Sequence, residues 1–228
     1  MDTKLSRLAG TLVAVGGVLA AAALAATRFV GPEATETTLR VEPGAVPVNV
    51  VLWLADLVLL GGLVLLVPVV ARSAGRLAAA AAGALAFGWA LGELPHAALD
   101  FSLIPELAAS LPEAQAAPIV WDSYDVVGPL AMAGVLSLAI AMVTLGTHAL
   151  RRGRLPKLAG IALLAGVPGA ILLQLLALAA DGVRIPHAPV AVALSLAVYG
   201  LAMRNFTELP TSRVAPEPAA EPAHPPLL

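Results

Sequence analysis

The sequence lacks cysteine and contains little charge. Without a thiol, the chain cannot form disulfides, iron–sulfur clusters or thiolate zinc sites. Only 12% of its residues are charged, against about 25% in a soluble domain of average composition. The formal net charge is −2, and no basic patch with interleaved aromatic residues is present. Nucleic acid is therefore not expected as a partner.

Apolar residues dominate instead, at 59% of the chain with a mean hydropathy of +0.90. So little polar surface cannot cover a water-facing globule, which makes the lipid bilayer an expected partner. A helix needs about 20 apolar residues to cross a bilayer. Six apolar runs qualify, the last of them short: residues 8–30, 48–70, 77–99, 126–150, 158–180 and 188–203. We predict an all-α integral membrane bundle of six transmembrane helices in residues 1–206, followed by a disordered Pro/Ala/Glu tail at 207–228.

Basic residues predict the orientation of this bundle. They cluster at alternate ends of the runs, with Arg28, Arg40 and Arg184 as exceptions: Lys4, Arg7, Arg72, Arg76, Arg151, Arg152, Arg154, Lys157, Arg204 and Arg213. By the positive-inside rule both termini are cytoplasmic. We therefore predict a multi-pass protein of the cell (plasma) membrane of a bacterium.

The first run permits a second interpretation. Basic residues followed by an Ala-rich run that ends Ala23-Leu24-Ala25 also fit a cleaved signal peptide. The run continues to Val30, which is longer than a usual signal core. Cleavage would leave five spans with the orientation of the others unchanged.

The second outer loop, residues 100–125, is the longest connection. Within it Ser102 is a candidate cap for a short interfacial helix, with Leu103, Leu107 and Leu111 along one stripe. Aromatic residues suited to the headgroup level lie near this end of the bundle: Trp53, Trp121 and Tyr124.

Polar residues inside the apolar runs are few. An ionisable group at the bilayer centre costs about 2.5–3.5 kcal/mol on the insertion scale, so each one needs a reason. At about 1.5 Å per residue, Asp56, Glu93, Gln174 and Ser195 lie at similar depths, roughly 9–12 Å below the outer boundary. Together with His96, these four residues predict a polar pocket that faces the outside of the cell and binds a small molecule or lipid.

Two prolines lie near this depth. Pro95 and Pro168 each remove a backbone donor and free a carbonyl one turn earlier. Such breaks in membrane helices are tolerated where neighbouring groups satisfy the backbone. Both interruptions fit either a binding site or a simple packing kink.

Three residues near Pro95 form a candidate chemical group. Glu93, His96 and Asp100 follow one another at three- and four-residue spacing, which places them on one helix face. As catalytic residues they would serve an intramembrane enzyme, with Glu93 and His96 as acid and base. A metal site completed by Asp122 or Asp125 lacks a second histidine at supporting spacing, so we predict no metal and no cofactor. The third alternative is a set of structural hydrogen bonds.

Three short motifs carry a resemblance: Ser6-Arg-Leu-Ala-Gly10, Ala71-Arg-Ser-Ala-Gly-Arg-Leu77 and Phe101-Ser-Leu-Ile-Pro105. With the layout of the runs, the chain resembles a group of uncharacterised small polytopic membrane proteins of actinobacterial type. That resemblance implies six or fewer spans and a cytoplasmic N-terminus, and implies no activity.

The function predicted from the sequence is non-enzymatic. The chain would bind or pass a small molecule or lipid through its polar pocket, or support a membrane-protein partner. The alternative is the intramembrane enzyme that uses Glu93 and His96.

Overall fold

A computed structural model describes residues 2–30, 33–34, 37–42, 44–179 and 188–206. The predicted tail at 207–228 and the connection containing His187 lie outside these residues. The described chain is almost entirely helical, with these helices: α1 (Asp2–Val30), α2 (Ala45–Ala74), α3 (Arg76–Gly92), α4 (Leu94–Ala98), α5 (Ile104–Ser110), α6 (Glu113–Arg152), α7 (Lys157–Ala179) and α8 (Ala188–Arg204). A π-helical segment, Leu99–Leu103, joins α4 to α5.

The long helices form a closed ring in chain order. α1 packs between α2 and α8, α3 packs between α2 and α6, and α7 packs between α6 and α8. Each helix therefore contacts the one before it and the one after it. Short connections between antiparallel neighbours favour this arrangement.

Glycines allow the closest of these contacts. A Cβ atom on Gly10 of α1 would lie 2.6 Å from the carbonyl oxygen of Gly200 on α8. Similarly, a Cβ atom on Gly88 of α3 would lie 2.8 Å from the carbonyl oxygen of Gly134 on α6. Small residues let membrane helices approach to backbone contact. The rotation of each helix about its axis is thus set by where its glycines lie.

The predicted membrane class is confirmed at a coarse level. Five helical stretches are long and apolar enough to cross a bilayer: Thr3–Thr27, Ala45–Ala74, Arg76–Ser110, Glu113–Arg152 and Lys157–Ala179. α8 is apolar but shorter. Large apolar side chains also cover the outside of the ring, with Val126 and Leu178 each 73% exposed. Such a surface fits a lipid solvent better than water.

The third apolar run is interrupted, as the sequence predicts from Pro95. α3 ends at Gly92, and Pro95 lies in the first turn of α4. Since Pro95 has no N–H, it cannot continue the hydrogen-bond ladder of α3. Glu93 is the residue at the break. Pro168, in contrast, lies inside an uninterrupted α7.

One end of the ring carries a small additional core, and we call it the hairpin end. Strands β1 (Glu33–Ala34) and β2 (Leu39–Arg40) pair antiparallel there. The backbone N–H of Leu39 donates to the Glu113 carboxylate, 3.1 Å away. Five apolar residues form the core: Leu39, Ile104, Ala116, Ala117 and Val120. We call the opposite end, with Arg72, Arg76, Arg151 and Arg152, the arginine end.

The second outer loop predicted for residues 100–125 needs correction. Residues 113–125 are helical and continuous with α6, because Ala116, Ala117 and Val120 bury one face of that stretch in the small core. Ser102 does not cap α5. Its hydroxyl donates instead to the carbonyl oxygen of Ala98, 2.7 Å away in the preceding turn.

Candidate functional site

A cavity of about 290 Å³ lies among α3, α6, α7 and α8. Its lining is apolar apart from the Glu93 carboxyl group and the Trp89 indole: Trp89, Glu93, Val135, Leu138, Ala139, Met142, Val167, Ala170, Ile171, Ala188, Pro189 and Val192. The α8 part of the lining is its first residues, and the α3 part is its last, so the cavity lies in the half of the bundle nearer the hairpin end. Apolar walls with one or a few polar groups are typical of small-molecule sites.

Glu93 reaches this cavity because α3 ends there. It is partly buried, at the break between α3 and α4. The close contact of Gly88 with Gly134 fixes how α3 faces α6. Residues one turn apart share a helix face, so Trp89 and Glu93 both line the cavity.

Asp56 lies behind this cavity on α2. Its side chain is 0% exposed, and neither carboxylate oxygen has a hydrogen-bond partner in the structure. Its carboxyl group is near enough to Glu93 for the two to repel when both are charged. Trp89 approaches it as well, but the buried indole Nε1 makes no hydrogen bond within accepted geometry. Asp56 is therefore a buried carboxyl group that the fold leaves unsatisfied, which is rare and costly in native structures.

The apolar stretches of the helices around these acids contain no Lys or Arg to balance them. Neither Lys nor Arg occurs in residues 46–71, 77–99, 126–147, 158–179 or 188–203. Buried charges in proteins are normally paired. Asp56 and Glu93 thus form an acidic pair in an otherwise apolar interior.

His96 and Asp100 belong to a different group of residues, nearer the hairpin end. The Tyr124 hydroxyl donates to the Asp100 carboxylate at 2.5 Å, and the His96 ring stacks on Tyr124 with ring centroids 6.0 Å apart. The Asn49 amide donates to the backbone carbonyl of Asp100 at 3.3 Å. These contacts join α2, α4, the π-helical segment and α6. We call Asn49, His96, Asp100 and Tyr124 the hairpin-end polar cluster.

This placement separates the residues that the sequence groups as Glu93, His96 and Asp100. His96 does not line the cavity, and its Nδ1 lies 3.3 Å from the carbonyl oxygen of Gly92. Within the described residues, no group of three or more His, Asp and Glu side chains is arranged to hold a metal ion. Glu93 and His96, the acid and base predicted for an enzyme, do not line one common cavity.

Gln174 and Ser195 are not part of the cavity lining either. Gln174 is exposed on the outside of α7. Ser195 is buried, at 8% exposed, and its hydroxyl donates to the carbonyl oxygen of Ala162 on α7 at 2.5 Å. Of the four residues predicted at one depth, the structure brings together Asp56 and Glu93 only.

Sequence reasoning missed two residues that matter here, Asn49 and Trp89. Asn49 is 0% exposed and lies two turns before Asp56 on the same face of α2. That heptad spacing was a readable signal. Trp89 is also 0% exposed, but nothing in the sequence distinguishes it from the aromatic residues expected at the headgroup level.

Comparison of the chain with family models, with curated proteins and with solved structures finds no match. The resemblance to small polytopic membrane proteins of actinobacterial type therefore stays a prediction. Function is therefore inferred from the cavity, its Glu93 carboxyl group and the neighbouring Asp56.

Proposed function

We propose that the protein is a multi-pass membrane protein that binds one small molecule or lipid chain in the cavity at Glu93. The observation that carries this proposal is a cavity of about 290 Å³ with a single carboxyl group in an apolar lining. An apolar body would fill the space, and a hydrogen-bond donor or positive charge on the ligand would meet Glu93.

Binding is better supported than passage across the membrane. Apart from Asp2 at the start of α1, no further acidic residue occurs from Asp56 toward the arginine end within the described part of α1, α2, α3, α6, α7 or α8. The polar groups of the site therefore extend from the hairpin end to about the middle of α2. Asp56 is the twelfth residue of that helix.

The topology we propose keeps six spans, including α1 and the short α8, with both termini in the cytoplasm of a bacterial cell. α1 and α8 pack against each other through Gly10 and Gly200, which supports treating both as parts of the bundle. The clustered arginines support a cytoplasmic arginine end. α5 would then lie at the outer interface.

Photolabelling tests the binding proposal directly. The probe is an aryl-diazirine benzyl alcohol, which has an apolar ring and one hydroxyl donor, and mass spectrometry of the purified protein maps its adducts. We expect adducts near the cavity on α6 and α7. Ala139→Phe, which fills the cavity, should remove them. Ala133→Phe makes the same change on the exposed face of α6 and should not.

Two outcomes discriminate further. Adducts spread over the exposed faces and unchanged by Ala139→Phe would contradict a binding cavity. Competition by an added phospholipid would identify a lipid chain as the occupant, whereas labelling that resists lipid favours a small molecule.

Orientation has a simple test, because the chain has no natural cysteine to remove. A Ser110→Cys variant at the hairpin end should react with a membrane-impermeant maleimide in intact cells. An Arg152→Cys variant at the arginine end should react only after lysis. The reverse pattern would overturn the proposed orientation.

A further inference from the structure

The acidic pair restricts what the cavity can bind. Asp56 and Glu93 lie within electrostatic range of each other, and Asp56 has no hydrogen-bond partner for either oxygen. Two carboxylates in an apolar interior repel each other and lose their hydration, so ionising both is strongly unfavourable. Retaining one proton on the pair avoids both costs.

In the part of the bundle that the structure describes, the helices around this pair do not supply the missing positive charge. α1 contains no titratable residue from Leu8 to Thr27, and α7 contains none from Leu158 to Ala179. α6 contains none from Val126 to Thr147, and α8 offers only Tyr199 before Arg204.

His96 on α4 is a candidate counter-charge among the described residues. It stacks on Tyr124, and it lies close enough to Asp100 for the two to attract when both are charged. The contacts of His96 are therefore with the hairpin-end polar cluster and not with the acidic pair. Within the described residues no cation is placed to neutralise the acidic pair, which leaves a ligand to supply the positive charge.

We propose that the occupant of the cavity is an organic cation, and that its binding at Glu93 releases one proton held by Asp56 and Glu93. This inference rests on the proposed binding function and names its ligand class. The bound cation replaces the proton, so the net charge of the site does not change. No covalent bond forms or breaks except that between the carboxyl group and the released proton.

An organic cation fits the cavity better than a metal ion does. The lining supplies one carboxylate and mostly aliphatic carbon, whereas Ca²⁺ and Mg²⁺ require about six oxygen ligands. An alkylated ammonium group, in contrast, needs no set of oxygen ligands. It makes favourable contacts with apolar side chains and with an aromatic ring, and Trp89 provides such a ring in the lining.

Two probes of nearly equal shape separate charge from size. Benzyltrimethylammonium is a permanent cation with no proton to lose, and neopentylbenzene is its neutral carbon isostere. Binding of each to the full-length protein in nanodiscs is measured by calorimetry in two buffers of different ionisation enthalpy. The difference between the buffers gives the number of protons released.

We expect the cation to bind about tenfold or more tightly than the isostere, with close to one proton released per cation. Its affinity should rise about tenfold per pH unit where that release occurs. Glu93→Gln should abolish the preference for the cation while binding of the isostere persists, which also shows that the variant is folded. Asp56→Asn should reduce the number of protons released.

Each contrary result has a distinct meaning. Equal affinity of the wild-type protein for the two probes would contradict the proposal that the ligand is a cation. Tight binding of the cation without proton release would contradict the proposal that the cation replaces a proton. If neither probe binds, the proposed function fails together with this inference. If only the isostere binds, the binding function stands and the inference alone fails.

Discussion

Replacing Asp56 with leucine should make the protein more stable. Asp56 is fully buried, and both of its carboxylate oxygens lack partners. Leaving such a group unsatisfied costs about 1–3 kcal/mol, and an apolar residue of similar volume removes that cost. We therefore expect Asp56→Leu to raise the free energy of unfolding by about 1–3 kcal/mol. Residues kept for function at the expense of stability behave in this way.

The assay is unfolding of the purified protein in mixed micelles, followed by circular dichroism as the denaturing detergent fraction rises. Ser195→Ala is the matched control, since Ser195 is also buried but donates to the carbonyl oxygen of Ala162. Losing this hydrogen bond should lower the free energy of unfolding by about 0.5–1.5 kcal/mol. The two substitutions are thus expected to have opposite signs. A loss of stability in Asp56→Leu comparable to that in Ser195→Ala would show that Asp56 is a structural residue and refute the reasoning.

The remaining predictions concern the packing around the site. Gly134→Ala should lower the unfolding temperature, because its Cβ would meet the backbone nitrogen of Gly92; overpacking of this kind costs about 1–3 kcal/mol. Gly128→Ala on the same helix meets nothing within 4 Å and should be neutral or slightly stabilising, and an equal loss in both variants would contradict the close α3–α6 contact. Tyr124→Phe should cost about 1.5–3 kcal/mol through its lost bond to Asp100, yet leave photolabelling of the cavity unchanged. Loss of labelling in Tyr124→Phe would mean that the hairpin-end polar cluster and the cavity are one site.

Composition and run length were sufficient to predict the class of this fold. Scarce charge and long apolar runs leave few alternatives to membrane helices, since only helices and closed barrels satisfy every backbone group in lipid. The break at Glu93 was also predictable, because Pro95 cannot donate to the ladder of α3. The start of α6 was not. The polar stretch 113–125 becomes helical through tertiary contacts of Ala116, Ala117 and Val120, which no local pattern shows.

The depth of the candidate site residues in the membrane could be predicted from the sequence, but the direction in which each side chain points could not. Counting residues along a helix estimates how far a side chain lies from the membrane boundary, which is why Asp56, Glu93, Gln174 and Ser195 were grouped. Rotation about the helix axis depends on packing. α7 is apolar on all sides, so its sequence does not indicate that Gln174 faces outward. The glycine contacts that set rotation, such as Gly88 with Gly134, are hard to distinguish in a chain so rich in Ala and Gly.

The side-chain directions in the hairpin-end polar cluster were likewise not predictable from residue spacing. His96 and Asp100 share a helix face with Glu93 in an ideal helix. The break between α3 and α4 separates both residues from Glu93, Asp100 lies in the π-helical segment, and both contact Tyr124 instead. A single inserted π turn shifts the direction of every later side chain, and such turns are frequent at functional sites.

Stabilisation by benzyltrimethylammonium is the most direct test of the claim that Glu93 holds a cation in the cavity. The unfolding free energy of the wild-type protein, Glu93→Gln and His96→Gln is measured with and without the probe at ten times its wild-type dissociation constant. Linkage predicts a gain of about 1.4 kcal/mol at that concentration for a protein that binds only when folded. We predict this gain for the wild-type protein and for His96→Gln, whose altered side chain lies outside the cavity lining. For Glu93→Gln, whose affinity for the probe should fall tenfold or more, we predict a gain of at most about 0.4 kcal/mol. Equal gains in all three proteins would contradict the account.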